Sequence, residues 1–430
     1  MSRGIILYVG GFELPDRNAA AQRVLSNALI FRDLGYRVGL VGVTRRSDAP
    51  KVGRVPAFDV EGVEGWEVPY PSGQAAWLRR TVGIGEVRTV VASMGAEADL
   101  RAVIAYNHPA VAQWRLLRYA RSLGGRGIAD VTEWYGDVRN DSISGVVKNL
   151  DGRIRMGWVN RLMDGLITTS PFMSDHYAST GAPIVELPTL MDEPPGAAAP
   201  ATPDGRPKRL FFAGSGFDPA VLARSRDGLK DRIDLVIERL AGAARRGADF
   251  RLDAYGLTEA DYRTLRPDHQ PLLDQLGEWV RFHGRRPRAE VRQALREADY
   301  SIFLRDQTRV TLAGFPSKYS ESIALGTPVL TNAMPNIMRY HQPGRTGWLI
   351  ERDDSVRGEI QLLEALAAPS TEVQTMKNFC ARSGLFHYSR YLGSIATFME
   401  QVSGHDAVPP PTPAEVPFRR DITSAEARRP

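Results

Sequence analysis

Residues 309–331 read RVTLAGFPSKYSESIALGTPVLT, and this stretch gives the clearest indication of the fold. Pro316 and Ser317 predict the start of a helix, and Gly326 predicts the turn from that helix into the following apolar strand. A helix start presents free backbone N–H groups and a positive dipole end, which together attract an anion such as a diphosphate. Lys318 adds a positive charge at the same place.

The same stretch resembles the donor-binding signature of family 4 of the retaining GT-B glycosyltransferases. Members of that family have a loop, a short helix with a glutamate, a glycine and a Pro-Val strand in this order. Here the loop is residues 314–318, the glutamate is Glu321, the glycine is Gly326 and the strand begins at residues 328–329. The resemblance implies an α/β GT-B fold, in which two Rossmann-like domains face each other across a cleft.

Glu321 has two interpretations. On a first helical turn a carboxylate can simply complement the helix dipole while Ser317 caps the helix, and for an isolated pair of this kind we favour that structural role. The whole run of 23 residues instead favours donor binding, in which Glu321 accepts hydrogen bonds from two ribose hydroxyls. One departure is Ala313, because many family members have a second glutamate at this position. The difference leaves the identity of the donor sugar open.

Other segments resemble the same family and complete a set of candidate donor-binding residues. The set is Gly10, Gly11, Gly214, Lys230, His283, Arg309, Gly314, Phe315, Ser317, Lys318 and Glu321. Glycines let the backbone approach a ligand closely. The Gly10-Gly11 pair is also compatible with a plain strand-to-helix turn, and His283 with a packed residue at a strand end.

Lys230 precedes a predicted helix, where family members place a lysine on the donor diphosphate. The alternative for Lys230 is a solvated lysine at a helix start. The arginine that usually accompanies this lysine is not obvious, and Arg226, Arg305 and Arg309 are candidates for it. Gly216 follows Gly214 in the same family-like segment.

Glu133 and His108 are the candidate catalytic residues. Glu133 lies in DVTEWYGD, which resembles a family loop that faces the cleft, and Trp134 and Tyr135 beside it suit a sugar acceptor. The alternative is one buried tryptophan and one capping carboxylate. His108 follows a predicted strand and could line the cleft, although a lone histidine at a strand end is more often structural.

Strand and helix patterns alternate along both halves of the chain, which predicts parallel sheets covered by helices. The predicted strands are residues 4–9, 36–43, 102–106, 127–132, 165–169, 209–213, 250–255, 279–283, 299–304 and 328–331. The predicted helices are residues 19–34, 109–123, 231–246, 287–298, 317–325 and 388–402, with a further helix opened by Ser170 and Pro171. Ligands of such sheets bind at the carboxyl ends of the strands.

The same patterns predict the domain organisation. We expect an N-terminal acceptor-binding domain over residues 1–192, a linker rich in proline and alanine over residues 193–207, and a donor-binding domain over residues 208–387. The resemblance implies that helix 388–402 packs back on the first domain. Residues 404–430 have the composition of a disordered tail.

Composition and charge exclude some classes of protein and disfavour others. The chain has 430 residues, a net charge of +5 and a single cysteine, so an internal disulfide framework is excluded and nucleic-acid binding is disfavoured. No apolar run is long enough to span a membrane, and the apolar N-terminus resembles a first strand more than a secretory signal. We therefore expect a cytoplasmic enzyme. Its arginine-rich composition is compatible with phosphorylated ligands or with an anionic membrane.

Residues 143–163 allow peripheral contact with the inner face of a membrane, because they mix basic and apolar side chains as a surface helix on anionic lipid does. The alternative is a helix whose apolar side chains face the core of the first domain. We favour this alternative at the level of sequence.

The resemblance implies retaining transfer of a sugar from a nucleoside diphosphate sugar to a hydroxyl of a glycan, a lipid-linked sugar or a small metabolite. It also implies that no metal or other cofactor is needed, because protein cations stabilise the leaving diphosphate. A non-catalytic sugar-nucleotide-binding protein and a GT-B-like epimerase remain open as alternatives. An NAD-dependent oxidoreductase is disfavoured, because GGFELP follows the first strand where G-x-G-x-x-G is required.

Overall fold

The computed structural model contains two β-sheets, each of mostly parallel strands. The described residues are 2–14, 18–45, 55–134, 143–196, 198–214 and 229–404. The candidates Tyr135, Gly216 and Arg226 lie outside the described residues. The predicted tail also lies outside them, except for its first residue, Gly404.

The first sheet has eight strands in the order β3-β4-β2-β1-β5-β6-β7-β8, and all neighbouring pairs are parallel except β3 with β4. The strands are β1 (Ile5–Glu13), β2 (Arg37–Thr44), β3 (Phe58–Val60), β4 (Val63–Pro69), β5 (Leu100–Tyr106), β6 (Arg126–Val131), β7 (Gly165–Thr168) and β8 (Ile184–Glu186). Its helices are α1 (Ala19–Asp33), α2 (Gln74–Val82), α3 (Gly85–Ser93), α4 (Ala110–Ser122), α5 (Ile143–Ile154) and α6 (Pro171–Tyr177).

Strand β1 shows why the sheet is buried on both faces. Successive side chains of a strand point to opposite faces, so Ile6 and Tyr8 enter one apolar cluster while Leu7 and Val9 enter the other. Helix α1 packs on the face of Ile6 and Tyr8. It begins where the Asn18 side chain accepts a hydrogen bond from the backbone of Ala21 at 2.8 Å.

The second sheet has six parallel strands in the order β11-β10-β9-β12-β13-β14. The strands are β9 (Lys208–Ala213), β10 (Phe250–Tyr255), β11 (Val280–Gly284), β12 (Tyr300–Ile302), β13 (Val329–Thr331) and β14 (Gly347–Leu349). The helices that follow are α7 (Ile233–Arg245), α8 (Glu259–Leu265), α9 (Gln270–Leu276), α10 (Arg288–Glu297), α11 (Arg309–Ala313), α12 (Ser317–Ala324), α13 (Pro335–Met338), α14 (Ser355–Ala367), α15 (Ser370–Ser383) and α16 (Leu392–Ser403).

The end of the described chain returns to the first sheet. Helix α16 buries Phe398 and Val402 against β7, so close that a Cβ on Gly165 would lie 2.6 Å from Val402. The segment after β8 instead runs along the second domain, where Gly196 donates a backbone hydrogen bond to Ala381 at 3.0 Å.

Each strand predicted from the sequence is present with small shifts at its ends, and so is each predicted helix. Elements β3, β4, α2 and α3, which lie between β2 and β5, were not predicted. The other elements that were not predicted are β8, β14, α8, α9, α11, α13, α14 and α15. The favoured interpretation of residues 143–163 as a core-facing helix is wrong, because α5 and the turns after it expose most of their large apolar side chains.

A buried ion pair joins α1 to β6 in the first domain. The Arg23 guanidinium contacts the Asp130 carboxylate at 2.8 and 3.2 Å, and both side chains are almost completely buried. Tyr8 donates a further hydrogen bond to Asp130, and Arg23 also donates to the carbonyls of Leu187 and Pro188. The ion pair therefore connects α1, the first strands of the sheet and the chain after β8.

We predict that Asp130→Ala lowers the free energy of unfolding by about 3–5 kcal/mol, because it leaves the buried Arg23 charge without its partner. The matched control is Asp99→Ala, which removes the exposed ion pair with Arg101 and is expected to cost less than about 1 kcal/mol. Urea denaturation followed by tryptophan fluorescence measures both. Equal decreases in the free energy of unfolding for the two variants would show that the buried ion pair stabilises the fold no more than the exposed one.

Candidate functional site

A cleft of about 670 Å³ lies between the two domains, where the carboxyl ends of the strands of both sheets meet. Residues at or near the carboxyl ends of strands line it on both sides: Gly11, Tyr106, Asn107, Thr132, Glu133, Thr169 and Gly214. The other lining residues used below are Arg23, Lys230, Asp231, Arg305, Gly314, Phe315, Ser317 and Lys318.

Asp231 holds two cations together at this cleft. Its carboxylate accepts a hydrogen bond from Arg305 Nε at 2.6 Å and contacts the Lys318 ammonium closely on its other oxygen. Asp231 and Arg305 are almost completely buried, whereas 23% of the Lys318 side chain is exposed. Although burial alone would raise the pKa of Asp231, Arg305 and Lys318 bring that pKa well below its ordinary value. The carboxylate is therefore ionised, and the cluster carries one excess positive charge.

Helix α12 begins beside this charge cluster. Pro316 is in an extended conformation at the position before the helix, and Ser317 is the first helical residue. No side chain caps this helix start, so the interpretation of Ser317 as a capping residue is wrong. The open helix start and the Lys318 ammonium thus face the cleft together. Burial lowers the pKa of Lys318, and Asp231 offsets part of that effect.

Contacts between the domains join the two sides of the cleft at two places. Lys230 Nζ lies 3.2 Å from Glu133 Oε1 across the cleft, and both side chains are about half exposed. The hydroxyls of Thr169 and Ser170 donate to the carbonyl of Ala313 at 2.9 and 2.8 Å. Ala313 is fully buried in an apolar cluster of the first domain, so it is packed rather than open to the cleft.

Glu321 lies next to the cleft and not in its wall. Its carboxylate accepts a hydrogen bond from Arg292 Nη1 at 3.1 Å, and Arg292 also contacts Glu193 closely. Glu321 and Arg292 line a small cavity of about 30 Å³, which shares Lys318 with the cleft. Because Lys318 lines both, the small cavity and the cleft are adjacent at the start of α12.

The side chains of His283 and Arg309 each contact an aromatic ring. The His283 ring stacks on Tyr255 at 4.5 Å between ring centroids, and its Nε2 lies 2.7 Å from Asp253 Oδ1. Arg309 lies over the ring of Trp134 at 5.8 Å and thereby bridges the domains. Neither residue is part of the wall of the cleft.

Gly10 and Gly11 face different spaces. Gly11 lines the cleft and has no atom within 4 Å of where a Cβ would lie, whereas a Cβ on Gly10 would lie 2.5 Å from the Tyr106 carbonyl oxygen. Gly10 instead lines a cavity of about 500 Å³ together with Arg79 and Arg80.

His108 is outside the cleft. Its side chain is buried, and burial together with Arg80 and Arg155 lowers the pKa of His108 to about 3. The expectation that His108 lines the cleft is therefore not met. A strand-end histidine points in a direction that depends on the helix that follows it, and α4 begins directly after His108 and Pro109.

Several residues of the site were not identified from the sequence. Asp231 was predicted only as a helix start and Arg23 only as part of a helix. Thr169 was predicted as a strand end, and Ser170 as the start of the helix after it. The hydrogen-bonding partners of Asp231 lie 74 and 87 positions away in the chain, so no local pattern indicates them. The position of Asp231 directly after Lys230, a candidate donor-binding residue, could have indicated that Asp231 belongs to the site.

No three His, Cys, Asp or Glu side chains of the described residues lie together as metal ligands would. In the same part of the chain, no helix combines the length and the apolar character needed to cross a membrane.

Comparison with known proteins agrees with this architecture. Residues 218–368 match the family model of glycosyl transferases group 1. Sucrose-phosphate synthase from Thermosynechococcus elongatus superposes with a TM-score of 0.64 at 15% identity, covering 93% of this chain and 99% of that one. A trehalose-phosphate synthase (UDP-forming) from Burkholderia vietnamiensis has a TM-score of 0.59 at 11% identity, with 93% and 98% covered.

A third similar structure is Anabaena HepE in complex with UDP and glucose, with a TM-score of 0.59 at 14% identity and 92% and 99% of the two chains covered. The search of curated proteins by sequence found no match. The chain thus has the GT-B fold, which confirms the fold predicted from the sequence. The match to the glycosyl transferases group 1 family model falls within the second domain.

We predict a specific pH dependence of stability from His108. Its folded-state pKa of about 3 lies below the ordinary 6.5, so the unfolded chain binds a proton in this window that the folded protein does not. Stability is therefore complete above pH 6.5 and decreases as the pH falls towards 3. Between pH 7 and 5, wild type is expected to lose about 2 kcal/mol more than His108→Gln in urea denaturation. Parallel losses would contradict the buried, neutral state of His108.

Proposed function

We propose that this protein is a retaining glycosyltransferase that moves a sugar from a nucleoside diphosphate sugar to a hydroxyl of an acceptor. The observation that carries the proposal is the Lys318–Asp231–Arg305 cluster at the open start of α12, within a cleft between two GT-B domains. Such an arrangement suits a diphosphate because a helix start and excess positive charge both favour anions. The match of residues 218–368 to a glycosyltransferase family model supports the same function.

The donor would lie along the second domain. We place its diphosphate at the start of α12, near Lys318, Lys230 and Arg305, and its ribose near Glu321. Each of these side chains has a protein partner: Lys318 and Arg305 have Asp231, Lys230 has Glu133, and Glu321 has Arg292. Donor binding would therefore exchange protein contacts for ligand contacts, and such exchange favours charged ligands over neutral ones.

UDP is the first nucleotide to test. The HepE structure contains UDP and glucose, and the similar trehalose-phosphate synthase is described as UDP-forming. The stacked rings of Phe211, Tyr255 and His283 lie at the carboxyl half of β9, β10 and β11, which would support a base near this edge.

The proposed reaction breaks the bond between the anomeric carbon and the diphosphate oxygen, and the bonding electrons leave with the diphosphate. The acceptor hydroxyl oxygen forms the new bond to the anomeric carbon on the same face, and its proton passes to an oxygen of the leaving phosphate. Lys318, Arg305 and Lys230 would stabilise the charge that develops on the diphosphate, so the role of a metal ion falls to protein cations.

Glu133 is the proposed acceptor-positioning carboxylate. Of the described residues that line the cleft, only Glu133 and Asp231 have a carboxylate, and Asp231 is neutralised by its two cations. Glu133 belongs to the first domain and faces Lys230 across the cleft. An epimerase needs several acid–base groups around the sugar. Of the three candidates His108, Glu133 and His283, only Glu133 lines the cleft, which favours a transferase over an epimerase.

The acceptor remains a glycan, a lipid-linked sugar or a small metabolite in this proposal. A cytoplasmic location and peripheral contact with the inner face of a membrane also belong to it.

We predict that UDP raises the melting temperature of the wild type and that Lys318→Met and Glu321→Gln each weaken UDP binding. Loss of one hydrogen bond to a charged group corresponds to about 10- to 100-fold in Kd. Isothermal titration calorimetry measures the affinities, and thermal shift with GDP, ADP, dTDP and CMP tests the choice of base.

The controls are Lys208→Met at the amino end of β9 and Glu278→Gln, which removes a carboxylate that also pairs with an arginine, Arg281 at 3.2 Å, but lies away from the cleft. Both controls should bind UDP like the wild type. If all four variants retain wild-type affinity, the donor site is not at the start of α12.

A further inference from the structure

The α5 surface is an exposed apolar stripe on the first domain. It consists of Val146, Val147, Lys148, Leu150, Arg153, Ile154, Trp158 and Leu162. Six of the fourteen exposed large hydrophobic side chains in the described part of the chain lie in this one segment. Scattered apolar residues on a protein surface need no explanation, but a concentration of this kind marks an interaction site.

The spacing places these side chains on one helical face. Val146, Leu150, Ile154, Trp158 and Leu162 follow one another at intervals of four positions, and helical turns continue from α5 through Leu162. Each step of four residues advances by about 40° around a helix of 3.6 residues per turn, so neighbouring apolar groups touch and the stripe winds across the outward half of the segment.

The opposite face of the segment is already packed, so the stripe cannot turn inward. Asp151 accepts a hydrogen bond from the Ala110 backbone at 2.8 Å, and Arg155 donates to the Asn107 carbonyl at 2.8 Å. Met156 and Val159, which follow these two anchors along the chain, are buried. The outward orientation of the α5 surface is therefore fixed by the fold.

Within residues 145–163, the charged side chains on the outward side are basic. Lys148 and Arg153 are exposed on the α5 surface, and Arg161 lies at its end. Asp151, the acidic residue of residues 145–163, points inward to Ala110. An apolar helix face bordered by lysine and arginine suits an anionic lipid surface, where the apolar groups enter the acyl boundary and the cations meet the headgroups.

The α5 surface is also adjacent to the cleft. Arg155 is bonded to the carbonyl of Asn107, and Asn107 lines the cleft on the acceptor side. The helix that carries the stripe is thus anchored to a residue of the cleft wall.

We infer that the α5 surface docks this protein on an anionic lipid bilayer. Docking would bring the acceptor side of the cleft to the membrane, where a lipid-linked acceptor hydroxyl is available. The part of this inference that concerns the acceptor rests on the proposed glycosyltransferase function, whereas docking itself does not.

The test is co-sedimentation of the full-length protein with vesicles of phosphatidylglycerol and phosphatidylcholine. We compare Val146→Glu/Ile154→Glu with Val356→Glu/Ile360→Glu on α14, because Val356 and Ile360 are exposed to nearly the same extent as Val146 and Ile154. Wild type should bind these vesicles, and the α5 variant should bind at least about tenfold more weakly, since it removes apolar insertion and adds negative charge. The α14 variant should bind like the wild type.

Three results would overturn the inference. They are no sedimentation of the wild type, equal loss in both double variants, and a wild-type dimer in analytical ultracentrifugation that dissociates in the α5 variant. The last result would identify a second copy of this chain as the occupant. Thermal shift by UDP, measured on the same samples, separates the two proposals: a wild type that binds vesicles but no nucleotide would contradict the proposed function and leave docking intact.

Discussion

The Asp231 carboxylate holds Lys318 and Arg305 together at the cleft, and the rest of the candidate site is arranged around this charge cluster. Two cations with one anion leave a positive charge beside the open start of α12, where a diphosphate would gain both the charge and the helix dipole. A buried carboxylate is tolerated here only because both of its oxygens have cationic partners.

The parallel topology explains why residues from distant parts of the chain meet at this point. In both sheets the loops that follow the strands lie at the carboxyl edge, and the two edges face each other. Glu133 and Lys230, which are 97 positions apart in the chain, therefore meet across the cleft at 3.2 Å. The buried Arg23–Asp130 pair beneath the first domain's side of the cleft fixes the position of α1 relative to β6.

Local patterns predicted much of the fold and the core of the candidate site. Pro316, Gly326 and the apolar runs each determine structure within a few residues, so α12 and its neighbouring strands could be predicted. Pairing between distant residues could not, because the partners of Asp231 and Glu321 depend on strand order and helix packing. Periodicity likewise shows that residues 143–163 have an apolar face but not which way that face points, and the anchors of Asp151 and Arg155 decide this. Sequence reasoning placed His108 in the cleft for the same reason, because a local pattern does not show which way a side chain after a strand points.

The most direct test of the central claim is turnover of sugar nucleotides. Purified wild-type protein is incubated with radiolabelled UDP-, GDP-, ADP- and dTDP-sugars in the presence of anionic vesicles and candidate acceptors, and released nucleoside diphosphate and glycosylated product are quantified. The account predicts release from one class of donor, product with the anomeric configuration of the donor, and loss of both with Lys318→Met. Binding of a nucleotide with no release from any donor would contradict the account and favour a non-catalytic sugar-nucleotide-binding protein.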